Sequence, residues 1–89
     1  MKSVIRFATP HPDPEVRALL TETAQGIADV VLGFMLKDIR SEVDACDGTM
    51  VLNFGDDIAD PFIILHGVPD DLSQKMGALL SRRYRLGPG

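Results

Sequence analysis

One cysteine, Cys46, stands alone in 89 residues, so no intrachain disulfide can form and no cysteine-based zinc site can be completed within one chain. That points to a reducing, cytoplasmic setting. The first residues, Met1-Lys2-Ser3-Val4-Ile5-Arg6, lack the apolar run of a secretory signal. The greasiest stretch, residues 27–36 (IADVVLGFML), is ten residues long against the roughly 20 needed to span a bilayer. No membrane partner is therefore expected. Gly-rich phosphate loops, internal repeats and low-complexity segments are also missing, and no motif names a reaction. No cofactor is expected.

What remains is an ordinary globular composition, 45% hydrophobic and 25% charged, in a chain short enough for one core. The net charge of −4 is unevenly spread. Residues 1–37 balance. Residues 38–71 hold nine acids against Arg40, and residues 72–89 hold four cations and no acid. An acidic middle argues against nucleic acid as a partner of the whole domain.

Residues 2–8 read as a strand that stops at the alternating prolines of Pro10, Pro12 and Pro14, which cannot donate to a sheet. Asp13 is then an N-cap, Pro14 a first helical residue and Glu15 a favourable charge at the positive end. From there the helical period is strong as far as Val43. At about 100° per residue, Val16, Leu20, Ile27, Val30, Val31 and Phe34 share one face, the expected core face. Glu15, Glu22, Asp29, Lys37 and Arg40 lie opposite. Between them runs a shoulder whose later positions are Ala28, Leu32, Met35, Leu36 and Ile39, so the apolar stripe swings sideways in the second half. An unbroken helix over 14–43 would be about 45 Å long, against a radius of gyration near 12 Å for such a domain. It must bend near a glycine or project past the sheet, and the shoulder is the expected partner-binding surface.

Residues 44–49 form a turn, 49–54 a strand with Met50, Leu52 and Phe54 on one face, 55–61 an acidic loop, and 62–66 a second, wholly apolar strand. A helix opens at Pro69-Asp70-Asp71, buries Leu72, Met76, Leu79 and Leu80, and runs to about Tyr84. The order βαββα implies an α+β fold: one domain over 1–86, with a three-stranded mixed sheet, two helices on one face and a flexible tail at 87–89.

That topology gathers Asp56, Asp57 and Asp60 near Arg82, Arg83 and Arg85, a charged patch read first as solvent-exposed pairing. The acids lack the spacing of a calcium loop, so no metal is expected. Cys46 and His66 gather at the other pole and supply the enzyme alternative, a thiolate nucleophile in a small dimeric enzyme, without a surrounding signature. Arg82-Arg83-Tyr84-Arg85 supplies a second alternative, a weak nucleic-acid contact.

The order and spacing of these elements resemble the small DNA-damage-inducible DinI-type proteins, which modulate the RecA filament. The likeness covers nearly the whole chain as layout and implies a small regulatory binder. The last helix departs from it, being acidic in that family and ending Arg82-Arg83-Tyr84-Arg85 here, so no functional residue carries over. The expected function is a non-enzymatic protein-interaction module, a homodimer or an inhibitor docked on a larger protein. A short acidic domain of this kind also suits a phage or mobile-element inhibitor, anti-CRISPR proteins included.

Overall fold

A computed structural model describes residues 1–55 and 58–87. Strand β1 (Lys2–Phe7) leads into helix α1 (Pro14–Val30), which continues through a wide turn at Val31–Met35 and a tight one at Lys37–Ile39 into the short helix α2 (Arg40–Ala45). Then follow β2 (Thr49–Phe54), β3 (Phe62–His66), α3 (Asp70–Leu80) and β4 (Arg85–Leu86). The fold is α+β, with three helices and a four-stranded mixed sheet in the order β1-β2-β3-β4. The outer pairs, β1 with β2 and β3 with β4, are parallel, and the central pair is antiparallel.

Two expectations need correction. The sheet has a fourth strand, and the long helix is broken in two. β4 spans only two residues, too few to show a strand period, and it is placed by pairing Phe62 with Arg85 and Ile63 with Leu86. Gly87, expected in the loose tail, donates its N–H to the Ile63 carbonyl at 2.9 Å. A side chain there would meet the Phe62 ring at 2.0 Å, so β4 closes against β3 only because residue 87 is glycine.

The start of α1 is as the sequence implies. Asp13 Oδ1 accepts from the Glu15 N–H at 2.9 Å, and Pro14 takes the first turn, where its missing donor costs nothing. The bend arises at Val31–Met35, where one extra residue is wound into the turn. The Leu36 N–H reaches back five residues to the Val31 carbonyl at 3.1 Å instead of four to Leu32. The Leu32 carbonyl is thereby released, and Arg40 Nη1 satisfies it at 3.2 Å while Arg40 Nε binds Asp44 at 2.9 Å.

The core sits between the helices and one face of the sheet. Met50, Leu52, Phe54 and Ile63 form one buried cluster with Ala24, Ala28, Val31, Leu36 and Val43, and with Leu72, Met76 and Leu80 of α3. Strand alternation puts all four strand residues on the same face, so α1 and α3 cover that face. Phe7 stacks on Phe54 with centroids 5.5 Å apart. At the far pole Gly48 lies against the β3 end, where an added Cβ would sit 2.8 Å from the His66 carbonyl oxygen. Gly67 takes φ 67°, the left-handed turn that ends β3.

Candidate interaction surfaces

The extra residue in the wide turn decides which side chains α1 shows to solvent. It rotates everything after it by about 100° relative to an unbroken helix. The buried series therefore runs Ala24, Ala28, Val31 and then, after a step of five, Leu36 and Val43. The sideways swing of the apolar stripe is this rephasing. The shoulder expected to meet a partner belongs instead to the domain's own core. Ala28 and Leu36 are fully buried, and Leu32, Met35 and Ile39 are partly buried and packed on the cluster.

The converse correction concerns the expected core face. Val16, Leu20 and Ile27 are half-buried and Val31 is buried, but Val30 and Phe34 are 54% and 65% exposed, and Leu19 on the same side is 63% exposed. Alanines 24 and 28 bring the α1 backbone close to the sheet, and the face opposite them carries the bulky residues outward. A reading that weights large apolar side chains centres the stripe on the wrong line. Only 17% of an apolar 18-residue window within Pro14–Met35 is buried.

On the outward line, Leu19, Thr23, Gly26, Val30 and Phe34 follow one another at steps of four, three, four and four. The Thr23 hydroxyl donates to the Leu19 carbonyl at 3.0 Å, so it brings no unpaired donor to that surface. An added Cβ at Gly26 would meet nothing within 4 Å, so the ridge is open there. Lys37 Nζ stands 4.9 Å above the Phe34 ring. A shallow groove of about 240 Å³ beside it is lined by Phe34, Met35, Lys37, Asp38, Leu79 and Arg82.

The charged patch is partly assembled. Arg85 pairs with Asp60 at 3.5 Å, with both side chains largely exposed. Asp56 and Asp57 lie outside the described residues. Arg83 packs over Tyr84, and Arg82 lines the Phe34 groove instead of joining Asp60. The three arginines therefore point to three different neighbours. Cys46 Sγ accepts from the Gly48 N–H at 3.3 Å and faces the Gly67 carbonyl at 4.0 Å. No hydrogen bond joins Cys46 to the exposed His66 among the described residues, and no group of three metal-ligating side chains gathers there either.

A second surface, the other face of the sheet, had no counterpart in the sequence reading. Pairing aligns three rows across it: Lys2, Thr49 and His66; Val4, Val51 and Ile64; Arg6, Asn53, Phe62 and Arg85. Neither α1 nor α3 covers these rows. Val51 in the centre is nonetheless buried by its neighbours, while Val4 at the edge is 39% exposed. Asn53 Oδ1 is buried and accepts no hydrogen bond. These residues were legible one by one, but the two-residue β4 and the sheet order that unite them were not.

No family model, no curated protein and no solved structure matches this chain. The layout likeness to the DinI-type proteins thus gains no support from these comparisons, and β4 departs from the βαββα order on which it rested.

Proposed function

We propose that this protein is a non-enzymatic interaction module that pairs with a second copy of itself through the outward line of α1. The observation that carries this reading is the outward placement of Leu19, Val30 and Phe34 along one side of a single helix. Steps of four and three between Leu19, Thr23, Gly26 and Val30 are those of a helix-pairing seam, where apolar knobs return every half-heptad. Gly26 in the middle of the seam lets two backbones approach closely. A lipid surface is the poorer fit, because Glu15, Glu22 and Asp29 flank the line and the chain carries −4, which an anionic bilayer repels.

Light scattering over a range of concentrations tests the pairing, with Val30→Asp beside the wild type. The wild type is expected to dissociate on dilution, and the variant to stay monomeric with an unchanged circular-dichroism spectrum. A wild type that is monomeric throughout, or a Val30→Asp variant that still pairs, overturns the reading. Leu32→Asp does not serve as the probe, since Leu32 packs on the core and its replacement unfolds the domain.

A further inference from the structure

We infer that the open face of the sheet is a binding platform for single-stranded nucleic acid, a role beyond the self-pairing of α1. The chain carries −4 overall, yet the strand residues facing this side include Lys2, Arg6 and Arg85 and no carboxylate. Arg85 is shared with Asp60 at the rim, while Lys2 and Arg6 have no carboxylate partner among the described residues. The fold therefore separates charge that the composition averages away. Lys2 and Arg6 stand about 13 Å apart along β1, and three interstrand steps put β4 about 14 Å from β1. The cations thus frame the apolar centre of Val4, Val51 and Ile64.

An occupant must be anionic at its margin and flat and apolar in its middle. A second copy of the sheet fails, because stacking two such faces would bring lysines and arginines together. A duplex fails, because a flat face presents nothing that enters a groove. A single strand fits: its phosphates meet the framing cations, and its unstacked bases lie on the centre. Phe62 offers an aromatic surface, its ring held in place by Gly87 and by Arg85 at 5.9 Å. Asn53 holds an amide oxygen with no partner in the protein, beside Arg6 and Phe62 in the same row. A base edge carries the donor such an oxygen needs. The area suits about two or three bases, so the affinity is modest and strongly salt-dependent.

Fluorescence anisotropy of labelled oligo-dT and oligo-rU, titrated with the full chain at low ionic strength, is the test. A saturable rise is expected, with log K falling against log salt at a slope of about −2 for three phosphate contacts. Arg6→Gln and Lys2→Gln should each reduce that slope by about 0.7. Phe62→Leu should weaken binding at least about fivefold with the slope unchanged. Arg82→Gln and Val30→Asp should bind as the wild type does, which separates this site from the C-terminal arginines and from the pairing helix. No rise at low salt overturns the inference. So does equal loss in the Arg82 variant, tighter binding of a duplex of the same sequence, or preferential binding of poly-glutamate through the same cations.

Discussion

The two faces of the one sheet are made by the same strands and differ in almost everything else. On the covered face, Met50, Leu52, Phe54 and Ile63 are fully buried under α1 and α3. On the open face, one residue further along each strand, the chain sets Val51, Asn53, Phe62 and Ile64 among cations from both edges. Alternation by one residue thus divides labour within a six-residue strand: one set of side chains holds the fold, and the other is free of that duty. The open face even carries a cost, since a buried amide oxygen without a partner is unfavourable by about 1–3 kcal/mol. A face optimised for stability alone would not keep Asn53 there.

The comparison breaks most decisively at Phe54. Truncation to alanine removes a fully buried ring and its stack on Phe7, and should cost about 3–5 kcal/mol in urea unfolding. Ile64→Thr on the open face should cost no more than about 1 kcal/mol; equal losses at the two sites would show that something covers both faces. Next in size is Gly48→Ala at the pole that joins them. Its Cβ would press on the backbone oxygens of His66 and Gly67 at 2.8 and 2.9 Å, where neither can move as a side chain would. A loss of about 1–3 kcal/mol is expected. Smaller and opposite in sign is Asn53→Val, which removes the orphaned acceptor and adds a residue suited to a central strand. A gain of about 1 kcal/mol is expected, seen as a rise of about 4–8 °C in Tm. A loss would mean that Asn53 is satisfied in solution and is part of the scaffold.

Much of this was legible from residue types. The cap at Asp13, the stripe of α3 and the inward triplet of β2 follow from short-range chemistry and strand or helix period. The orientation of α1 did not, because two small residues and one extra residue decide it. Ala24 and Ala28 mark the buried line by being small enough for close approach, which a count of large apolar side chains passes over. The wide turn at Val31–Met35 then shifts the phase, and no residue type announces it, although Gly33 weakens the helix at that point. The open face was invisible for a different reason. Lys2, Arg6 and Arg85 lie at opposite ends of the chain, and only sheet order, sealed by a glycine at 87, brings them to one surface.

The smallest effect sharpens the contrast most. Arg6 is exposed on the edge strand, pairs across to Asn53 through its backbone, and has no carboxylate partner among the described residues. Its replacement by glutamine should leave unfolding in urea within about 0.5 kcal/mol of the wild type, with the same dependence on denaturant because the same surface is exposed. The charge is therefore not retained for the fold, and it can be removed without disturbing the covered face a few ångströms below. A loss above about 1 kcal/mol would instead place the Arg6 stem among the groups that shield Val51, and the open face would then owe its cations to packing.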